Sequence, residues 1–312
     1  MAVLSEFALI SRYFAPLAGP EGLGLKDDAA HYSPPPGFDL TLTVDANVAG
    51  VHFLPDEAPD IVARRLLRTN LSDLAAKGAK PVGYLLTLAL SEATDTGWVQ
   101  RFASGLAADQ ETFGLKLFGG DTVSTPGPVM ASITALGLTP AGKAILRSGA
   151  KPGDAIYVSG TIGDAGLGLK LALDRGASSS DRDWLVERFR LPTPRLELGA
   201  ELVGVATAAA DVSDGLIADA GHIAEAAGVV LEIQTAAVPL SAPAQRLGLD
   251  LAAAITSGDD YEIVFTGREN LSIDAACIGA VRALRGGEAA RAVALDASGR
   301  EIALAQPGYT HR

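Results

Sequence analysis

Helix-like and strand-like segments alternate along almost the whole of this 312-residue chain. In some stretches apolar residues recur every three to four positions, which is typical of amphipathic helices, whereas short β-branched runs indicate strands between them. The predicted helices lie at about 5–15, 58–78, 95–113, 163–175, 194–204, 215–228 and 241–248. The predicted strands lie near 40–45, 84–90, 116–118, 129–138, 155–159, 206–211, 229–234 and 261–266. This interleaving predicts an α/β or α+β fold.

A polar stretch near the middle of the chain indicates a domain boundary. Residues 139–154 are rich in proline, glycine and charged side chains, a composition typical of linkers. Because 312 residues exceed what one ordinary core needs, two domains are expected. We therefore predict an N-terminal domain over 1–139 and a C-terminal domain over 140–312.

Composition excludes several classes of protein. The formal net charge of −12 repels a phosphate backbone, so the chain is not expected to bind nucleic acid. One cysteine, Cys277, cannot form an intrachain disulfide or a cysteine-based zinc site. The N-terminus has Glu6 and Arg12 inside its apolar pattern, unlike a secretory signal, and the apolar run 84–90 is far shorter than the ~20 residues that span a bilayer. We expect a cytoplasmic protein that does not bind membranes.

Aspartates recur in short polar motifs, most of them after a predicted strand, where α/β folds bind ligands. They are Asp27, Asp28, Asp45, Asp73, Asp121, Asp211, Asp214, Asp259 and Asp260. An aspartate before a helix is also an ordinary N-cap, and this alternative is open for Asp73 and Asp214 above all. If the carboxylates converge, each like-charged pair at ~4 Å costs on the order of 4 kcal/mol at an effective dielectric of ~20. Several bound Mg²⁺ ions, which prefer oxygen ligands, are the simplest compensation, and phosphoryl transfer is the reaction that uses them.

Familiar nucleotide-binding motifs are missing from the sequence. The run 22–26 lacks the Gly-Lys-Ser/Thr ending of a P-loop, and 166–168 lacks the third glycine of a dinucleotide fingerprint. The glycine-rich turn at 160–166 either offers backbone N–H groups to an anion or is a packing turn. An enzyme of this sequence that uses ATP must therefore have another nucleotide-binding fold.

An ordered set of motifs resembles the thiamine-monophosphate kinase family over nearly the whole chain, from Glu6 to Tyr309. In order, the motifs are DDA at 27–29, VAGVHF at 48–53, NLSDLAA at 70–76, GGDT at 119–122, RSGAKPGD at 147–154, VSGT at 158–161, LPTPR at 191–195, DVSDGL at 211–216 and DDYE at 259–262. The resemblance implies the two-domain fold of aminoimidazole ribonucleotide synthetase, with N-terminal sheets that pair across a homodimer. It also implies transfer of the γ-phosphoryl group of ATP to thiamine monophosphate.

Matched by motif, individual residues acquire implied roles. The implied magnesium ligands are Asp28, Thr43, Val44, Asp45, Asp73, Asp121, Asp211 and Asp214. Val44 is included as one of the two positions that flank Asp45, and Ala46 is the other. The implied nucleotide contacts are Gly120, Asp121, Arg147 and Ser213. The implied contacts to the thiamine moiety are His52, Asp259 and Tyr309. The N-terminal domain would bind ATP and magnesium and dimerise, and the C-terminal domain would complete the nucleotide and substrate site.

The expected mechanism needs no general base, because a phosphate monoester has a second pKa near ~6 and is already ionised at neutral pH. Direct in-line transfer is therefore expected, with electrostatic support from magnesium and Arg147.

Three positions depart from the family pattern. Lys26 stands where glycine is usual, Val44 where threonine is common, and 257–259 reads Ser-Gly-Asp in place of Gly-Gly-Glu, which shortens a substrate-facing acid by one methylene. Two alternatives stay open: another ATP-using enzyme of the same superfamily, or a non-catalytic protein that binds magnesium and nucleotide.

Overall fold

The computed structural model describes residues 5–309, which form two compact units. The first unit runs to Leu74 and continues from Ala79 to Gly142. The second takes the short segment Ala75–Gly78 and begins again at Lys143, inside the proline- and glycine-rich stretch. Both units combine helices with a β-sheet, so the predicted two-domain α/β fold is confirmed.

The first unit is built on a four-stranded sheet. Its strands are β1 (Phe38–Val48), β2 (Lys80–Ser91), β3 (Lys116–Thr125) and β4 (Met130–Pro140). They are ordered β1-β4-β2-β3; only the β2–β3 pair is parallel. The helices of this unit are α1 (Glu6–Leu9), which continues as a π-helical turn over Ile10–Phe14, and the longer α2 (Pro59–Ala76) and α3 (Thr96–Phe113).

The two faces of this sheet differ. On β4, buried Ala131, Ile133 and Ala135 alternate with half-buried residues, so one face is covered. On β1 the alternation is unusual, because the more exposed positions are apolar: Leu42 is 59% and Val44 62% exposed. The first unit therefore has a solvent-facing apolar surface on β1.

The second unit contains a six-stranded sheet. Its strands are β5 (Ala155–Val158), β6 (Ala208–Asp211), β7 (Val230–Gln234), β8 (Ile263–Gly267), β9 (Ala276–Arg282) and β10 (Arg291–Leu295). They are ordered β10-β7-β9-β5-β8-β6; only the β10–β7 pair is parallel. The helices are α4 (Asp164–Asp174), α5 (Ser180–Arg190), α6 (Leu196–Leu202), α7 (Leu216–Ala227), α8 (Ala242–Arg246) and α9 (Leu251–Thr256).

Helix α7 packs into the main apolar core of this unit. Its side chains Leu216 and Ile223 belong to one buried cluster with strand residues such as Ile156, Leu231 and Val264. Strands β5, β6 and β8 are buried along their whole length, which explains why their sequences are short, largely apolar runs. This packing fixes the start of α7 beside the end of β6. Among the described residues no helix is long and apolar enough to cross a membrane.

Candidate active site

Strand β1 and helix α2 bring three predicted magnesium ligands together. The hydroxyl of Thr43 donates a hydrogen bond to Oδ2 of Asp73 at 2.5 Å. The backbone N–H of Asp45 donates to Oδ1 of Asn70 at 3.1 Å, and the amide nitrogen of Asn70 donates to the carbonyl of Leu66 at 2.8 Å. Asn70 thus ties the strand to the helix, and oxygen atoms of Thr43 and Asp73 are held in direct contact.

The N-cap interpretation is wrong for both aspartates to which it most applied. Asp73 lies near the C-terminal end of α2, where the helix dipole disfavours a negative charge. Asp214 precedes α7, but the N-cap residue of that helix is Gly215. Neither carboxylate is explained by capping, so both remain candidates for the predicted ligand role.

Another predicted ligand of the first unit, Asp121, lies apart from the Thr43–Asp73 pair. The strand register aligns Ala46, Ser132, Thr87 and Asp121 across four strands, so Asp121 is three strand spacings, roughly 14 Å, from β1. Asp28 lies in an exposed turn in which its N–H donates to Oδ1 of Asp27 at 2.8 Å. The unit therefore does not gather all of its predicted ligands at one point.

Neighbouring backbone positions also constrain the predicted contacts. At Gly120 an added Cβ would lie 1.9 Å from the carbonyl oxygen of Leu86, so only glycine fits beside Asp121. Val44 exposes a hydrocarbon side chain, and only its backbone oxygen has the chemistry of a magnesium ligand. Nδ1 of His52 accepts the N–H of Val48 at 3.1 Å, so in the neutral ring the proton is on Nε2.

In the second unit, three separate segments meet around the turn that holds Ser213 and Asp214. The N–H of Asp259 donates to the carbonyl of Ser213 at 2.8 Å, and the N–H of Tyr309 donates to the carbonyl of Asp214 at 2.9 Å. An added Cβ at Gly258 would be 2.2 Å from the Ser213 oxygen. Four predicted contact residues that are up to 96 positions apart in the sequence are therefore adjacent in space.

The backbone around Asp259 has an uncommon conformation that neighbouring hydrogen bonds stabilise. Asp259 and Tyr261 adopt positive φ angles of 70° and 51°, which are uncommon for residues other than glycine. Hydrogen bonds from their N–H groups to Ser213 and Val212, both 2.8 Å long, hold this conformation. Because Asp tolerates a left-handed backbone better than most residues, the geometry explains why the shorter acid is accommodated here.

A buried carboxylate that the sequence reasoning missed lies beneath the same turn. Oδ2 of Asp219 accepts the N–H groups of Ser213, Asp214 and Gly215 at 2.9, 3.0 and 3.1 Å. Burial, and then the nearby Asp214 carboxylate, raise the pKa of Asp219 to about 7. Asp214, Asp219 and His222 each offer a potential metal-ligand atom within 4.8 Å of the others. A charged residue in the apolar first turn of α7 was the available signal.

The last motif, DDYE, contains two further buried acids with structural partners. Asp260 accepts the N–H groups of Gly163 and Ala165 at 2.7 and 3.1 Å, and its complete burial raises its pKa well above the ordinary value. Glu262 accepts hydrogen bonds from Ser159, Arg188 and Arg195. Asp260 takes up two amides of the glycine-rich 160–166 turn, which favours the packing interpretation of that turn.

Ion pairing with arginine separates two buried structural carboxylates from four of the predicted ligands. Buried Asp109 is paired with Arg64 and Arg68 at 3.1 and 2.7 Å, and Glu262 with Arg188 and Arg195. Within residues 5–309, by contrast, no lysine or arginine forms an ion pair with any of four predicted ligands, Asp28, Asp73, Asp121 and Asp214. Oxygen donors without a protein counter-charge fit magnesium, which binds carboxylates and completes its shell with water and phosphate.

Two more predicted site residues of the second unit, Arg147 and Asp211, differ from each other in exposure. Arg147 lies in an exposed 3-10 turn, Arg147–Gly149, and its guanidinium makes no hydrogen bond or ion pair with any described residue. Five donors are thus available to an anion. Asp211 ends β6 and is buried.

Family models match both halves of the chain. Residues 26–139 match the family "AIR synthase related protein, N-terminal domain" and residues 151–277 match "AIR synthase related protein, C-terminal domain". A thiamine-monophosphate kinase of Caulobacter vibrioides is 48% identical over 271 residues, which cover 83% of this chain and 76% of that protein.

Solved structures are similar over nearly the full length. A thiamine-monophosphate kinase from Stenotrophomonas maltophilia K279a has a TM-score of 0.80 at 35% identity, covering 93% of this chain and 96% of that one. AaThiL complexed with AMPPCP and TMP has a TM-score of 0.81 at 30% identity, covering 100% and 99%. The chain belongs to the thiamine-monophosphate kinase family.

Proposed function

We propose that this chain transfers the γ-phosphoryl group of ATP to thiamine monophosphate, forming thiamine diphosphate and ADP. Family membership supports the activity, and the related AaThiL structure holds AMPPCP, an ATP analogue, together with TMP. The observation that carries the proposal in this chain is the cluster of Ser213, Asp214, Asp259 and Tyr309. Two backbone hydrogen bonds join residues there that the family motifs assign to nucleotide, metal and substrate.

Magnesium is the metal that fits the oxygen donors. Thr43, Asp45 and Asp73 would hold it in the first unit and Asp214 in the second, with Asp28, Asp121, Asp211 and the backbone of Val44 as the further ligands of the motif set. When bound, Mg²⁺ neutralises charge on the phosphate oxygens. The missing arginine partners of Asp73 and Asp214 support this assignment.

The chain's own residues supply binding and alignment. The Arg147 guanidinium donates hydrogen bonds to phosphate oxygens, Ser213 donates its hydroxyl, and the close-packed backbone at Gly120 lines the nucleotide contact. No residue is needed to remove a proton, because the acceptor phosphate is ionised at neutral pH. We therefore propose direct in-line transfer, with inversion at phosphorus and no phosphorylated aspartate.

The thiamine moiety carries a positively charged thiazolium ring. We assign its recognition to His52, Asp259 and Tyr309. The Asp259 carboxylate provides the complementary charge, and the hydroxyl of Tyr261, which donates to its Oδ1 at 3.3 Å, orients it. Tyr309 is 54% exposed, and its aromatic side chain is of the kind that stacks on a flat ring.

The exposed apolar face of the first unit supports a homodimer. Leu42, Val44, Leu85 and Val123 are all exposed on this sheet, and large apolar side chains exposed together on one sheet favour an interaction site. We propose that two copies pair these sheets. We assign dimerisation and the binding of ATP and magnesium to 1–139, and 140–312 completes the nucleotide and substrate site. A cytoplasmic location stays a prediction of the sequence.

The choice of acceptor tests the function. Purified protein with ATP and Mg²⁺ is given thiamine monophosphate, thiamine or aminoimidazole precursors in turn, and ADP is measured. ADP release only with thiamine monophosphate is expected. Release with an aminoimidazole precursor would favour another enzyme of the superfamily, and nucleotide binding without ADP release would favour a non-catalytic role.

A further inference from the structure

We propose that Asp219 is a positioning residue of the nucleotide site, which fixes the Ser213–Gly215 turn so that only its side chains, and not its backbone amides, face the ligand. Asp219 lies in the first turn of α7 and is 2% exposed. One of its carboxylate oxygens accepts all three N–H groups of the turn, at 2.9–3.1 Å. None of the residues that the motifs assign to nucleotide, metal or substrate has this positioning function.

These three amides are the groups that a phosphate would otherwise bind. A helix N-terminus with consecutive N–H groups is a general anion site. In this chain the Asp219 carboxylate already occupies that position. Ser213 can therefore reach a nucleotide only through its hydroxyl, and Asp214 can bind a cation only through its carboxylate or carbonyl oxygen.

The opposite edge of the turn is also engaged. The carbonyl groups of Ser213 and Asp214 accept the N–H groups of Asp259 and Tyr309 at 2.8 and 2.9 Å. The turn is thus bonded on one edge to Asp219 and on the other to the two segments assigned to the substrate. Loss of Asp219 is expected to disturb the nucleotide contacts and the substrate contacts together.

The inference rests on the proposed function, because nucleotide binding and turnover are its readouts. The wild-type protein is measured first: if it neither binds Mg²⁺–AMPPCP nor releases ADP with thiamine monophosphate, the proposed function fails. If the wild type does both, the behaviour of the Asp219 variants alone decides this inference.

The decisive variants are Asp219→Asn and Asp219→Ser. Asparagine keeps one oxygen at the position that accepts the three N–H groups, whereas serine is too short to reach all of them. We expect Asp219→Asn to bind Mg²⁺–AMPPCP within about threefold of wild type, and Asp219→Ser to lose at least about tenfold in affinity and to raise both KM values, since small displacements in a site are costly. The readouts are calorimetric affinity, KM, kcat and Tm.

Asp164→Ser is the matched control. Asp164 is a buried carboxylate of the same unit that accepts hydroxyl hydrogen bonds from Thr161 and Ser241. The Asp164→Ser substitution should lower Tm without changing nucleotide affinity.

If folded Asp219→Asn loses nucleotide affinity more than tenfold, the negative charge is required, as for a metal ligand, and the positioning role is wrong. Wild-type affinity in Asp219→Ser would also overturn it. If Asp219→Ser does not fold, the affinity of Asp219→Asn decides.

Discussion

The backbone N–H of Asp259 donates a 2.8 Å hydrogen bond to the carbonyl oxygen of Ser213. This bond joins the motif assigned to the substrate to the motif assigned to nucleotide and metal. It also holds Asp259 at a positive φ of 70°. Because the backbone makes the bond, side-chain substitutions at Asp259 can separate substrate recognition from the architecture of the turn.

Replacing Asp259 by asparagine tests its role toward the thiamine moiety. Asparagine adopts a left-handed backbone readily, so the fold and Tm should be unchanged. Loss of the negative charge opposite a thiazolium should raise KM for thiamine monophosphate about tenfold and leave KM for ATP unchanged. Steady-state kinetics with each substrate varied measures this. Equal effects on both KM values would show that Asp259 acts through the turn and not through the substrate.

Asp73→Asn tests the unpaired carboxylates of the first unit. Removing a negative charge near the C-terminal end of α2 should leave Tm unchanged or raise it. Loss of a magnesium ligand should lower kcat/KM at least about 100-fold and shift the Mg²⁺ dependence to higher concentration. On the same helix, Asp60→Asn is the control, since Asp60 is paired with Arg101 at 2.7 Å and should have no effect on the Mg²⁺ dependence. A collapse of Tm with an unaltered Mg²⁺ dependence would contradict the assignment.

Arg147→Ala tests the exposed guanidinium. Charged hydrogen bonds to phosphate contribute about 1.5–3 kcal/mol, so kcat/KM for ATP should fall about 10- to 100-fold. Stability should change little, because no described residue bonds to this side chain. Lys143→Ala, four residues earlier and also exposed, should behave as wild type. An unaltered kcat/KM in Arg147→Ala would remove Arg147 from the site.

The raised pKa of Asp219 predicts a dependence of stability on pH. With a pKa of about 7 in the native state and the ordinary 3.8 when unfolded, the folded protein binds the extra proton between these values. The stabilisation is present below about pH 4 and is lost as pH rises through about 7, by on the order of 4 kcal/mol at most at ~1.4 kcal/mol per unit. The measurement is made in the presence of a metal chelator. Between pH 5 and pH 8 the free energy of unfolding of the wild type should fall relative to that of Asp219→Asn. Parallel pH profiles would contradict this.

Leu42→Glu tests the dimer. A charge at a 59% exposed position should leave the fold of a monomer intact but prevent two apolar sheet faces from pairing. Analytical ultracentrifugation should show a dimeric wild type and a monomeric variant. Leu247→Glu, at a 45% exposed apolar position in the second unit, is the control and should remain dimeric. A monomeric wild type, or a dimeric Leu42→Glu, would exclude this interface.

Periodicity predicted the long helices closely because their burial pattern is local. The expected helices 58–78, 95–113 and 215–228 correspond to α2, α3 and α7, within two residues at each end. Helix α5 was not predicted, although Ser179 caps it and acidic residues begin it, because its polar composition hides the periodicity. Strand β1 extends beyond the expected 40–45 because it pairs with β4 from Phe38 to Val48, and that pairing partner is distant in the sequence.

Only part of the candidate site could be predicted from the sequence. The motifs identified Asp73 and Asp214, but the capping alternative could be excluded only once the ends of α2 and α7 were known. Asp219 could not be assigned, because its role depends on which backbone N–H groups surround a buried side chain. Nor could the sequence separate Asp121 from the Thr43–Asp73 pair, since that distance follows from the strand order.

Direct transfer from ATP to thiamine monophosphate is tested by following the phosphoryl group itself. Purified protein is given ATP labelled at the γ-phosphate, Mg²⁺ and thiamine monophosphate, and both products and protein are analysed. Label is expected in thiamine diphosphate, in amounts equal to the ADP formed, and none is expected to be covalently bound to the protein. Label retained on an aspartate, or ADP formed without labelled thiamine diphosphate, would contradict it.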